Sequence, residues 1–148
     1  MGSKIQLYVN GWHLNKNYVI NFDVVPAKVR VEFGGETIAS SSTTRVMYEL
    51  GHAPIYYFPR SDVDLSLLEL SKYSTYCPYK GHASYWTVRT KLRSRENVIW
   101  CYENPHEEVT TIGGHMGFYW GLMDSWFEDE IMVDGPREIP SRIDTTNQ

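Results

Sequence analysis

Apolar and polar positions alternate with a period of two along most of the chain. Residues 4 to 9 place Ile5, Leu7 and Val9 on one side, a short strand closed by Asn10-Gly11. YVINFDVV, residues 18 to 25, is a second strand, ended by Pro26. KVRVEF follows, with Val29, Val31 and Phe33 on one face and Arg30 and Glu32 on the other. Gly34-Gly35 signals a hairpin, and ETIA returns as its partner before a polar turn over residues 40 to 44. VMYELG, ending at Gly51, reads as a strand or one helical turn. IYYF is a strand whose ends are fixed by Pro54 and Pro59. SDVDLSLLEL fits a helical turn or a strand. Pro78 and Gly81 bracket a turn, after which HASYWTVRT sets Ser84, Trp86 and Val88 against Tyr85, Thr87 and Arg89. The loop KLRSREN then leads into the strand VIWCYE.

The period changes after residue 104. Asn104 suits an N-cap, Pro105 the first helical position, and Glu107 stands three residues after the cap. Ile112, Met116, Tyr119, Met123 and Trp126 recur at spacings of three and four, which predicts one helix with an apolar stripe. Gly113, Gly117 and Gly121 form a second line, and each glycine costs about 1 kcal/mol of helix propensity. Such a line implies a backbone lying close to a neighbour, packed on a sheet. The expected fold is therefore mainly β, with one C-terminal helix. Without helix–strand alternation, a Rossmann or barrel α/β fold is not expected.

Composition narrows the function. The 148 residues suffice for one domain with a real core. Eleven Tyr and five Trp bring the aromatic share to 14%, which serves a pocket as well as a core. A net charge of -4 argues against a nucleic-acid partner. No apolar run reaches the ~20 residues that cross a bilayer, and the start carries no long apolar signal region, so neither a membrane partner nor secretion is expected. Cys77 and Cys101 form no CxxC pair, which excludes a four-thiolate zinc site. A disulfide between them stays open, but free thiols in a reducing, cytoplasmic compartment are expected.

The segments PAKVRVEFGGETIASS, YYFPRSDVDLSLLE, CPYKGHASYW, IWCYENP and GFYW occur in that order. Through them the chain resembles the family called domain of unknown function 427, over residues 26 to 133. That leaves residues 1–25 as an N-terminal extension with short strands and 134–148 as a polar tail. The resemblance implies coiled antiparallel sheets, similar to the β-tent of methionine sulfoxide reductase B. The zinc-binding cysteines of the tent relatives are missing, so that cofactor does not carry over. The family pattern includes Tyr57, Pro59, Arg60, Asp62, Cys77, Pro78, Lys80, Gly81, Tyr85 and Trp86. His82 and Cys101 fall where it fixes nothing. The family's label mentions nucleotidyl transfer, and the family carries no settled reaction.

Candidate chemistry centres on Lys80, which a turn can present into a cleft. Desolvated there it can move protons, or as a cation hold an anion; its bland reading is a solvated turn lysine. Arg60 and Asp62, at a strand end, either orient charge on a ligand or pair to fix a loop. Cys77 with His82 or His52 is a nucleophile pair only if a base lies close, and a buried structural thiol is the simpler reading. Tyr56, Tyr57, Tyr85, Trp86, Trp100 and Tyr102 come from three strands, and half of them would face a cavity if the sheets curl. His82 shares a face with Ser84 and Trp86. The D-x-D of Asp62 and Asp64 resembles the carboxylate pair of nucleotidyl transferases, but the helix those enzymes need upstream is replaced by strand-forming APIYYFP. Arg89, Lys91, Arg93 and Arg95 crowd one hairpin tip, a phosphate patch or a solvated loop.

These readings converge on a cofactor-independent acid-base enzyme of isomerase, cyclase or lyase type. Lys80, Asp62, Arg60 and Tyr57 would be catalytic; Tyr56, Tyr85, Trp86, Trp100, Tyr102 and His82 would bind a small-molecule substrate. No metal or cofactor is expected, and a homodimer is compatible with the chain. A non-catalytic metabolite-binding or protein-interaction module is the alternative, and nucleotidyl transfer a minor one.

Overall fold

Strands form where the alternation demands them. The computed structural model describes residues 8 to 140. In chain order the strands are β1 (Ile20–Val24), β2 (Val29–Phe33), β3 (Glu36–Ser41), β4 (Arg45–Glu49), β5 (Ile55–Pro59) and β6 (Leu68–Cys77). Then follow β7 (Gly81–Arg89), β8 (Ser94–Cys101), β9 (His115–Phe118), β10 (Ser125–Glu128) and β11 (Ile131–Val133). A single helical turn, α1 (Gly11–Leu14), precedes them, capped by the Asn10 side chain. VMYELG is thus a strand, and SDVDLSLLEL is two 3-10 turns running into β6. The strand read over residues 4 to 9 falls mostly outside the described residues.

Two antiparallel sheets result. The larger has the order β1-β4-β5-β9-β8-β7-β6, the smaller β11-β10-β2-β3. One parity of each strand is buried between them: Val29, Val31 and Phe33 of β2, Tyr56 and Phe58 of β5, Met116 and Phe118 of β9, and Trp126 of β10. The opposite parity of the large sheet carries a second apolar cluster, with Met47, Tyr57, Ala83, Tyr85, Trp100 and Tyr102. A mainly β fold is therefore what the chain adopts. Among the described residues no helix is long and apolar enough to cross a membrane.

The C-terminal helix is not there. A 3-10 turn at Glu107–Ile112, strand β9, another 3-10 turn at Trp120–Leu122 and strand β10 take its place. Four glycines between residues 113 and 121 penalise a helix by about 1 kcal/mol each, whereas β9 gains full pairing between β5 and β8. The helical spacing arose from separate elements: Met116 and Trp126 face the core between the sheets, whereas Ile112 belongs to the second cluster. The close approach implied by the glycine line is real at one position. A Cβ on Gly117 would lie 2.6 Å from the Trp100 ring and 2.8 Å from that of Tyr57.

Candidate functional site

Lys80 ends the three-residue turn between β6 and β7. Its backbone N–H donates to the Cys77 carbonyl at 3.2 Å, and its own carbonyl accepts from His106 N–H at 3.1 Å. Gly81 follows at φ +108°, a backbone conformation that favours glycine, which returns the chain into β7. So held, the Lys80 side chain is only 11% exposed, and its Nζ donates to Glu49 Oε1 at 2.7 Å. The second carboxylate oxygen, Oε2, accepts from the Tyr18 hydroxyl. Among the described residues no other ion pair has both partners this buried. Burial alone would raise the Glu49 carboxyl, but the hydrogen bonds from Lys80 and Tyr18 win and hold it below the usual carboxylate range.

The segment before β1 fixes this turn from outside. Gly11 N–H donates to the Pro78 carbonyl at 2.8 Å, and Trp12 Nε1 to the Tyr79 carbonyl at 2.7 Å. The Tyr18 and Tyr79 rings stack at 3.7 Å. The extension is thus part of the wall around Glu49.

A cavity of about 380 Å³ opens beside the pair, within the range of small-molecule sites. Tyr57, Tyr85, Trp100, Tyr102 and the exposed Tyr119 supply most of its wall, with Met47 and Ile55, and His52 stands at the carboxylate side. Trp100 Nε1 donates to the Tyr57 hydroxyl at 3.0 Å, with the two rings at 87°. Tyr85 shares a hydrogen bond with the Thr75 hydroxyl at 3.0 Å. Burial pushes the Tyr102 hydroxyl far above the usual phenol value; for Tyr57 burial does the same, against the pull of Trp100. Both stay protonated and are donors at any physiological pH.

Half of the ten residues assigned from sequence to catalysis or binding meet here: Lys80, Tyr57, Tyr85, Trp100 and Tyr102. Tyr56 points into the other core, where its hydroxyl donates to Glu128 at 2.8 Å. Trp86 also faces that core, with the Arg60 guanidinium 5.0 Å over its ring, and Arg60 pairs with Glu103 at 2.9 Å. Asp62 sits with Arg60 on a 3-10 turn, away from the residues lining the cavity. His82 is exposed beside Tyr76. Asp64 caps the next turn through Ser66, and no group of three or more ligating side chains suits a metal among the described residues. In the basic hairpin, Arg93 pairs with Asp124 and Arg89 with Glu69.

Glu49 and Tyr18 were not legible as site residues. The one signal for Glu49 was its parity with Met47 on a strand whose other face is apolar. Neither thiol forms a disulfide: Cys101 is buried and Cys77 half-buried.

The motif order that carries the resemblance coincides with these elements, and residues 22–129 match the family described as Domain of unknown function (DUF427). The chain belongs to this family. No curated protein matches it. The DUF427 match runs from Phe22 in β1 through β10, so it includes Glu49, Lys80 and the aromatic wall, while Tyr18 and Trp12 lie before it.

Proposed function

We propose that this DUF427 member binds a small, partly apolar molecule in the aromatic cavity and moves protons on it through Lys80, without a cofactor. The buried Lys80–Glu49 pair at the cavity wall is the observation that supports this reading. A desolvated ammonium held by one carboxylate oxygen keeps two further N–H bonds for a ligand. It can protonate a carbanion or steady an oxyanion, and the Tyr57 and Tyr102 hydroxyls can share that charge. Isomerisation, cyclisation or elimination fits such equipment. The free thiols Cys77 and Cys101 accord with a reducing, cytoplasmic setting.

A non-catalytic metabolite-binding module is the second reading. It is favoured by Glu49, whose two oxygens are both engaged and which therefore offers no idle base. Nucleotidyl transfer has less support, because Asp64 is spent on capping a turn.

Lys80→Arg separates the two main readings. The full chain and this variant are incubated with a metabolite extract, and bound and converted species are read by mass spectrometry. A proton shuttle keeps the bound species and loses conversion. A binding module shows no conversion in either protein. Retention of a ligand that leaves the Trp100 indole N–H resonance unmoved would place the site elsewhere and end the proposal.

A further inference from the structure

On the Lys80 reading, the ligand class follows from donors around the cavity that have no acceptor. Its buried carboxylate is already engaged at both oxygens, by Lys80 and Tyr18. Lys80 uses one N–H on Glu49 and keeps two. The Tyr57 oxygen accepts from Trp100, so its own proton is directed elsewhere, and it meets no acceptor among the described residues. The Tyr102 hydroxyl makes no hydrogen bond among them either. The Tyr57 donor is buried without an acceptor, which is costly, while Lys80 and Tyr102 line the open cavity, so a ligand rich in acceptors satisfies all three.

An aromatic box with a carboxylate would ordinarily suit a cation. Here that place is taken: the Lys80 ammonium lies 5.9 Å from the Tyr102 ring centroid and on Glu49. A second cation would meet the like charge of Lys80, and the one carboxylate there already accepts from Lys80 and Tyr18. The walls favour a flat body. Trp100 stands edge-on to Tyr57 and 4.6 Å from the Tyr119 ring, and Gly117 lets the Trp100 and Tyr57 rings pack directly on the backbone of β9, which fixes their planes. A volume of about 380 Å³ takes one or two fused rings and not a dinucleotide.

We infer that the ligand is an aromatic or conjugated carboxylate, its flat body against Trp100 and its oxygens on Lys80, Tyr57 and Tyr102. The enolate or phenolate form of such a compound presents the same oxygen acceptors to the same donors.

The test uses three probes of one shape on the full chain: 2-naphthoate, 2-naphthylmethylammonium and 2-naphthylmethanol. Binding is read by calorimetry and by the Trp100 indole N–H resonance. The carboxylate is expected to bind roughly tenfold or more tighter than the other two. Tyr102→Phe should weaken it about three- to tenfold and Lys80→Met by more, while Lys80→Arg stays within about threefold. If Lys80→Met does not fold, Tyr102→Phe and the probe order decide. An ammonium or alcohol that binds as well as the carboxylate overturns the ligand class and leaves the cavity as a binding site. A carboxylate indifferent to Tyr102→Phe and Lys80→Met overturns it too. If no probe moves Trp100, the ligand class fails and the cavity itself loses its support.

Discussion

The Lys80 ammonium meets the Glu49 carboxylate at 2.7 Å although strands β5, β9 and β8 lie between β4 and β7 in the sheet. Four strand spacings on a flat sheet span about 19 Å, beyond the reach of two side chains. The pair therefore exists only because the sheet curls, and it ties the two sides of that curl together. Removing one partner leaves the other charged and buried. Glu49→Gln and Lys80→Met are each expected to destabilise the fold by about 3 kcal/mol, which lowers the melting temperature by roughly 6–12 °C. The double variant should recover most of this. Thermal melts of the four proteins check it, and single losses that simply add would deny the coupling.

The same carboxylate sets a pH dependence. Its folded pKa lies below the unfolded value, so its contribution is fully present above the unfolded pKa, about 4.3. The contribution is lost as pH falls from there through the depressed folded value. Urea midpoints of wild type and Glu49→Gln should differ by a constant amount from pH 7 down to about 5 and converge below about 4. Tyr18→Phe removes one of the two stabilising hydrogen bonds and should move the convergence to higher pH. A gap that persists unchanged to pH 3 would mean that ionised Glu49 is not what stabilises this junction.

How much of this the sequence carries depends on which contacts are local. The turn around Lys80 was readable because Pro78 and Gly81 mark it within four residues. The parity of Tyr85 against Trp86, and of Trp100 against Ile99, follows from alternation alone. IYYF was harder: both faces of β5 are buried, so nothing local says that Tyr57 and not Tyr56 reaches the cavity. Glu49 and Tyr18 join Lys80 across 31 and 62 residues of chain, a separation that only the curl of the sheet closes. The helix over residues 104 to 126 failed because apolar positions from two turns and two strands mimic a helical stripe. Its four glycines were the better guide, since Gly117 needs close ring contact and not helix propensity.

Gly117→Ala tests that close contact. The added Cβ would sit under 3 Å from ring atoms of both Trp100 and Tyr57, side chains that bond each other and are walled in by the cluster. Overpacking of this kind costs about 1–3 kcal/mol. The variant should fold, melt earlier and show a displaced Trp100 indole resonance, with the Lys80–Glu49 coupling intact in the double-variant comparison. A Trp100 resonance identical to wild type would mean that the floor of the cavity has slack that the observed spacing denies.

The two cysteines should differ in reactivity for a physical reason. Burial in the core between the sheets, with Glu103 adding to it, pushes the Cys101 thiol up to about 11. At pH 8 only about one part in a thousand of it is then thiolate, the form that reacts. Cys77 is half-buried at the end of β6, within reach of solvent. Iodoacetamide at pH 8 on the native protein should therefore label Cys77 well before Cys101, with peptide mass spectrometry reading the two sites. In urea both should label alike. The carboxylate probe offers a second arm: Cys77 packs against the aromatic cluster that lines the cavity, so an occupied cavity should slow its labelling and leave Cys101 unaffected. Cys101 labelling first in the native state would contradict the burial on which the division of this sheet into two faces depends.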